Sequence, residues 1–469
     1  MHQRPALLAD FRRLYGHSCS LPSPTGRLLT RKNSTQLLAA QDFTCNPFAF
    51  RYLHTIFPYL YENEEFGGEG GRGVPPPYNA GMKKDWTTKL IHSDVRVPEG
   101  FRSLATPVYR GSTTLFSDAA DVDDSWDQYE VGYTYGLYGT PTTLELAQRI
   151  CEMEGGYRTL ITPGGQCAIS TINFAFLKSG DHVLIPESVY GPNRKLARFV
   201  LKRFGVETTF YPPTIGREID LLFKPNTRLV WVESPGSITM EVQDIPAIAE
   251  VAHAHGALVV MDNTWAAGVL FDALAHGVDI TMQAVTKYIG GHSDLLLGSI
   301  TVKDEAAWKT LGAHQQVLGC AASPDDCSLA LRGMKTMAVR LKAIERSALT
   351  IAEWLSHRPE VELALHPALP SCPGHEFWER DFLGSSGLFS IVLKPGVTKQ
   401  QVLAFVNALE LFEIGYSWGG VTSLAVAYDF TGFKGRPNYE HRIVRLHIGL
   451  EATNDLIADL EQGLAKLSV

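Results

Sequence analysis

The chain has no apolar run of the ~18 to 20 residues that a membrane helix needs, so no spanning segment and no membrane partner are expected. It has no excess of positive charge. Its 42 Lys and Arg stand against 50 Asp and Glu, a formal net charge of −8 at pH 7. A nucleic-acid binder would show a basic patch or stripe, so that class of partner is not expected either. There is no C-x-x-C pair. The seven cysteines, Cys19, Cys45, Cys151, Cys167, Cys320, Cys327 and Cys372, follow no regular spacing. Neither a metal site nor a disulfide framework follows from them, and reduced thiols in a cytoplasmic protein are the expectation. No internal repeat is visible. What is present is an ordinary globular composition, 45% hydrophobic and 20% charged, in 469 residues, enough for more than one domain.

Residues 1–81 differ from the rest. Arg-rich and Ser-rich stretches are followed by Phe66-Gly67-Gly68-Glu69-Gly70-Gly71-Arg72-Gly73 and Pro75-Pro76-Pro77, a cluster that reads as linker or disorder. Three readings compete: a targeting segment, a disordered extension, or translated upstream sequence with Met82 as the natural start. The second and third fit better, because no clean amphipathic helix is visible. Met82-Lys83-Lys84-Asp85-Trp86 opens the part patterned to fold.

From about residue 142 short β runs alternate with helical periods. Helices are expected at 142–154, 166–177, 193–204 and 245–255. Strands are expected at 159–162, 182–186, 208–211, 229–232 and 258–261, with β-like segments at 280–287 and 295–302. This alternation predicts βαβ units and a mostly parallel sheet. A long helix is expected over 325–357. Beyond it, strands at 361–365, 388–393 and 444–448 with helices at 398–411 and 454–467 predict a smaller α+β domain. The expected division is 82–141 as an N-terminal arm for subunit contacts, 142–340 as the α/β domain and 341–469 as the C-terminal domain.

Two short stretches carry the chemistry. Asp262-Asn263-Thr264-Trp265 begins at the end of an apolar strand, and ligands of open α/β sheets bind outside the carboxyl ends of strands. Lys287 ends a second β-like segment, beside Thr286 and before Gly290-Gly291-His292-Ser293. Taken singly, Lys287 reads as a surface lysine and Asp262 as a cap or turn residue. Taken together they fit a pyridoxal-phosphate site. The lysine amine would form the Schiff base, and the acid would keep the pyridinium nitrogen protonated so that the ring acts as an electron sink. Thr162-Pro163-Gly164-Gly165-Gln166 lies between a strand and a helix, where free backbone N–H groups favour a phosphate. Such turns are common and often only structural. The lysine and the Thr286 hydroxyl downstream strengthen the cofactor reading.

The chain resembles the Cys/Met-metabolism family of fold-type-I pyridoxal-phosphate enzymes from about residue 85 to the C-terminus. The resemblance is carried by Tyr135-Gly136-Leu137-Tyr138-Gly139-Thr140-Pro141-Thr142, Glu187-Ser188-Val189-Tyr190-Gly191-Pro192 and Glu233-Ser234-Pro235-Gly236-Ser237. It is carried also by Asp262-Asn263-Thr264-Trp265-Ala266, Ala284-Val285-Thr286-Lys287-Tyr288, Tyr416-Ser417-Trp418-Gly419-Gly420 and Arg445-Leu446-His447-Ile448-Gly449-Leu450-Glu451. Within the family the pattern is most similar to bacterial-type cystathionine β-lyases.

The resemblance implies a role for each matched residue. Tyr190 would stack on the cofactor ring and help activate the substrate amine. Tyr135 would reach the site of a neighbouring subunit. Gly165, Gln166 and Thr286 would hold the cofactor with Lys287 and Asp262. Arg445 would bind the substrate α-carboxylate as a bidentate fork, with Tyr416, Ser417 and Trp418 lining the pocket. It implies α,β-elimination of cystathionine in a homodimer or homotetramer, with Lys287 as general base.

The alternatives are γ-chemistry, as in a cystathionine γ-synthase, γ-lyase or homoserine sulfhydrylase, and a non-catalytic relative. Retention of Lys287, Asp262, Tyr190 and Arg445 argues against the last, and Pro192 stands where methionine γ-lyases carry Cys. Departures stand at Leu137, where the family usually has a phosphate-binding Arg, at Ala284 in place of Ser, and at Thr422 in place of Glu. Arg110 is the candidate replacement for the lost phosphate donor.

Overall fold

The computed structural model describes residues 85–91, 103–431 and 437–467. The expectations for residues 1–81 and the start at Met82 lie outside them.

The first sheet is built mostly from buried runs rich in apolar residues, with helices between several of them. The segment opens with α1 (Pro141–Glu154), whose first turn holds a proline, a position where the missing N–H costs nothing. Then follow β1 (Arg158–Thr162), α2 (Gly165–Phe176), β2 (His182–Pro186), β3 (Glu207–Tyr211), β4 (Thr227–Glu233), α3 (Ile245–Ala254), β5 (Leu258–Asp262), β6 (Ile280–Gln283) and β7 (Gly298–Val302). The strand order is β1-β7-β6-β5-β4-β2-β3. Only β7 runs against its neighbours; the pairs β2–β3, β2–β4, β4–β5 and β5–β6 are parallel. The carboxyl ends of β1, β2, β4, β5 and β6 therefore share one edge, and every loop leaving that edge can contribute to one site.

Two elements differ from expectation. The β-like segment 280–287 stops pairing at Gln283, because Ala284 N turns away to donate to Thr264 Oγ1 at 2.9 Å. Lys287 thus sits in a turn beyond the strand, not within it. The stretch 305–318, for which the sequence pattern gives no expectation, forms a helix, α4 (Glu305–Leu318). Asp304 caps it through Ala307 N, and Gly319 closes it in the left-handed region at φ 69°. The helical stretch expected from 193 starts at Gly191, with Pro192 in its first turn.

The long helix α5 (Pro324–Ser356, 33 residues) links the two halves. Ser323 caps it, and Asp325 and Asp326 in its first turn complement the helix dipole. Its Leu331, Met334, Leu341 and Ile344 join the core around the first sheet. Its Ala348, Ile351 and Leu355 join the core of the second. The expected domain boundary at 340/341 thus falls inside this helix.

The second sheet contains β8 (Val361–Leu365), β9 (Leu388–Leu393), β10 (Glu413–Ile414), β11 (Leu424–Tyr428) and β12 (Ile443–His447), in the order β10-β11-β12-β9-β8. It is antiparallel except for the short β10–β11 pair. Helices α6 (Lys399–Asn407) and α7 (Thr453–Leu464) cover one face. The other face packs on the first core through Leu365, Leu388, Val392 and Ile443. The architecture is therefore a large, mostly parallel-sheet domain with a smaller C-terminal α+β domain. The candidate site lies where the strand-end edge of the first meets β12 of the second.

Candidate active site

Lys287 is the centre of the arrangement. Its turn is fixed from several sides: Lys287 N donates to Ala284 O at 2.9 Å, and Gly291 N donates to Lys287 O at 2.7 Å. Beside it, the Thr286 hydroxyl is held between Leu297 O and Leu297 N, both at 3.1 Å. The half-buried Nζ donates to Ser417 Oγ and lies 5.4 Å from the centre of the Trp418 ring. Burial pushes the amine down to about 8, and the positive charge of Arg445 adds to that shift while Asp262 opposes it. A lysine so placed is in part a free amine near neutral pH, as a nucleophile or base must be.

Asp262 ends β5, in register with Glu233 at the end of β4. Its Oδ1 accepts from Thr264 N at 3.1 Å. Burial raises its carboxyl above the usual range, while the Thr264 hydrogen bonds and Lys287 draw it back. Tyr190 opens the helical stretch at Gly191, and its N–H donates to Glu233 Oε2 at 2.6 Å. Burial raises its phenol, with further contributions from Asp262 and Glu233 and an opposing one from Arg445. The ring remains 42% exposed, open to a stacking partner.

Arg445 comes from the other sheet. It is only 7% exposed on β12, its guanidinium lies 5.4 Å from the Tyr428 ring centre, and its Nη2 donates to Ser417 O at 3.4 Å. No ion pair with a carboxylate is formed among the described residues. Burial lowers its pKa. An enclosed cation without a counter-charge is costly, and an incoming carboxylate is what would offset that cost. Tyr416, 82% exposed, stands at the mouth. Ser417 adopts φ 91°, a strained value for a residue with a side chain. Gly419, at φ 87°, presses on Lys287: a Cβ there would come 2.9 Å from Lys287 Cα.

The glycine turn after β1 forms a cradle. Helix α2 has no side-chain cap at Gly164, so its first backbone N–H groups are available to an anion. A Cβ on Gly165 would come 2.9 Å from Ala284 Cβ, which explains both small residues. The loss of the expected serine at 284 thus accompanies a close approach of backbone to backbone. Gln166 Oε1 is buried with no hydrogen-bond partner. Flipping that amide would present a donor beside the same turn. These features fit a phosphorylated aldehyde cofactor: an amine, an acid on the neighbouring strand end, and an anion cradle on the same sheet edge.

Arg110, Leu137 and Tyr135 have neighbours of their own within the chain. Arg110, the candidate replacement phosphate donor, is instead engaged at the surface by Asp325 through both Nε, at 2.8 Å, and Nη2. Leu137 lines a hollow of mixed polarity with Trp126, Tyr129 and Trp308. Tyr135 is 44% exposed and its own-chain contacts are a bridge to Thr113, an edge-on ring contact with Tyr138 and a hydrogen bond from Gln128. Two neighbours of the site were not singled out from sequence: Glu233, which ends the strand beside Asp262, and His447, two residues after Arg445 on the same strand face.

Such a site defines an enzyme that works through an aldehyde cofactor with an anionic handle. The chain belongs to the Cys/Met metabolism PLP-dependent enzymes; the model of that family matches residues 87–465. Its cofactor is pyridoxal 5′-phosphate. It is 42% identical to the cystathionine beta-lyase of Escherichia coli over 397 residues, 83% of this chain and 97% of that protein. It is 38% identical to the L-alanine/L-glutamate racemase of Wolbachia pipientis over 78% of this chain and 93% of that protein. Among solved structures, the cystathionine gamma-lyase of Lactobacillus plantarum matches with a TM-score of 0.75 at 29% identity, covering 82% of this chain and 99% of that one.

Proposed function

We propose that this protein is a carbon–sulfur lyase that cleaves cystathionine by α,β-elimination. The observation that carries the reading is Lys287, a half-buried amine lowered to about 8 between Arg445 and Asp262. The substrate assignment rests on the similarity to the Escherichia coli enzyme.

Pyridoxal phosphate, when bound, supplies an electron-withdrawing ring that stabilises negative charge at the substrate α-carbon. Lys287, Asp262, Gly165, Gln166, Thr286 and Tyr190 would hold it, with Asp262 as the acid that would keep its ring nitrogen protonated. Arg445 fixes the substrate α-carboxylate, with Tyr416, Ser417 and Trp418 around it. Nζ of Lys287 takes the α-proton and holds it, with Ser417 Oγ as its hydrogen-bond partner. That proton is then at hand for the sulfur as the carbon–sulfur bond breaks. Water completes the reaction, and the products are homocysteine, pyruvate and ammonia.

The reading includes the assembly and the layout of the chain. The protein acts in the cytoplasm as a homodimer or homotetramer, and Tyr135 serves the site of the adjacent subunit. Leu104 and Leu115, 98% and 89% exposed on the arm, support a surface made for a second chain. Residues 82–141 form that arm, 142–340 the cofactor domain and 341–469 the C-terminal domain.

One assay tests the chemistry. The holoenzyme is given cystathionine, and pyruvate and 2-oxobutyrate are measured together, with L-alanine racemisation followed in parallel. Pyruvate with homocysteine is expected. Dominant 2-oxobutyrate would replace the reading with γ-cleavage, and racemisation without either product would replace it with proton transfer alone.

A further inference from the structure

The segment Ser417-Trp418-Gly419-Gly420 contacts Lys287 at both ends of the lysine: Ser417 Oγ meets Nζ, and Gly419 presses on the Lys287 backbone. Something must hold this segment, since Ser417 occupies a strained conformation that persists only where its surroundings impose it. Trp418 leans on Tyr288, 5.4 Å between ring centres, but a ring contact sets no register along the chain. Arg445 reaches Ser417 O only at 3.4 Å.

The closer anchor is His447. It is 1% exposed, and its side chain points to the same face of β12 as Arg445. Gly419 N donates to His447 Nε2 at 3.1 Å, and Gly420 O also lies 3.1 Å from Nε2. One ring nitrogen cannot accept from the first and donate to the second at once. Burial pushes the imidazole down to about 4, so the ring is neutral at physiological pH. Accepting from Gly419 then requires the proton on Nδ1, which is buried without a partner.

We propose that His447 is a positioning residue: its Nε2 accepts the Gly419 N–H and so fixes the 417–420 segment against Lys287, keeping the Ser417 hydroxyl on the reacting amine. The proposal rests on the reading of Lys287 as that amine.

Two variants of similar polarity separate this from a merely structural histidine. A glutamine amide reaches the position of Nε2, whereas an asparagine amide reaches only that of Nδ1. His447→Gln should keep kcat within about threefold of the parent, because the Gly419 hydrogen bond is restored. His447→Asn should lower kcat at least about tenfold with KM changed less than about threefold, because small displacements of a reacting group are costly to chemistry and less so to binding. In the Asn holoenzyme the pH titration of the cofactor absorbance should also shift, and in the Gln holoenzyme it should not. The melting temperatures of the two should match. Equal kcat in both variants, or losses that simply follow melting temperature, would overturn the proposal. Nitrogen NMR of histidine-labelled wild-type holoenzyme gives a readout that needs no variant: a protonated Nε2 refutes the anchor, and a protonated Nδ1 supports it. If wild-type holoenzyme instead shows no lysine-linked cofactor band, the reading of Lys287 fails, and that outcome is distinct from failure of the anchor.

Discussion

Replacing Arg445 should produce three effects at once. In Arg445→Leu the guanidinium that would hold the substrate α-carboxylate is gone. Truncating one partner of a buried charge-assisted pair costs about 2 to 5 kcal/mol, or about 30- to 5,000-fold in kcat/KM. Leucine also removes a cation that is only 7% exposed and forms no ion pair among the described residues. Thermal stability should therefore hold or rise, because an apolar side chain in that place avoids the desolvation cost.

The third effect is on Lys287. Arg445 is the second cause of that amine's lowered pKa, after burial. The sign follows from charge: a neighbouring cation disfavours the ammonium form, so its removal raises the Lys287 pKa. Since burial remains, the new value should lie above about 8 and below the ordinary 10.5. The assays are steady-state kinetics on cystathionine, a melting curve, and the pH dependence of acylation of Lys287 in apoprotein, followed by peptide mass. A specificity constant within tenfold of the parent, or a Lys287 midpoint that does not move, would refute the reasoning.

Three further outcomes are expected. In wild-type apoprotein Lys287 should acylate with a midpoint near 8, and a midpoint near 10.5 would show that its burial is wrongly read. Gly165→Ala places a Cβ 2.9 Å from Ala284 Cβ, so cofactor affinity should fall about 5- to 150-fold, and adding Ala284→Gly should recover part of it; unchanged affinity in a cofactor titration would remove Gly165 from the cradle. Mixing inactive Tyr135→Ala with inactive Lys287→Ala should restore activity once subunits exchange, because half of the mixed sites then carry both native residues; no recovery after verified exchange would place Tyr135 in its own chain's arm.

The first sheet is legible in the sequence because most of its strands are buried along nearly their whole length. Residues 182–186 were read with the bounds of β2, and all five are buried. The reading failed where pairing, not composition, ends a strand. Residues 284–287 follow β6 with no glycine or proline to mark a break, but a hydrogen bond to Thr264, twenty residues earlier, peels them away. Helix α4 is hard to see in the sequence although Asp304 and Gly319 mark its ends, because its buried face joins Gly312 and Gln315 to Ala307, Trp308 and Leu311 and so carries few large apolar residues. Lys287, Asp262 and Arg445 were named from motifs, and the structure brings both Asp262 and Arg445 close enough to shift the protonation of Lys287. The pairing of Arg110 with Asp325, 215 residues away, is one that no local pattern announces.

The arrangement of charge gives the site its sense of order. Two cations, Lys287 and Arg445, face a partly enclosed space from different sheets, and Asp262 is the acid whose charge favours the lysine's protonated form. In the proposed reading this imbalance is useful only before substrate arrives. It holds Lys287 low, so that a free amine is available to react. A substrate carboxylate arriving at Arg445 offsets the positive charge that lowers Lys287, and the proton affinity of Lys287 then rises. The amine thus becomes a stronger base at the moment when an α-proton is within reach, without any movement of the sheets. A site with Lys287 and Asp262 alone would lack this response, because both lie at the carboxyl edge of one sheet and their mutual attraction is the same with or without substrate. The second sheet therefore does more than close the pocket: through Arg445 it makes the base of the first sheet sensitive to what has bound.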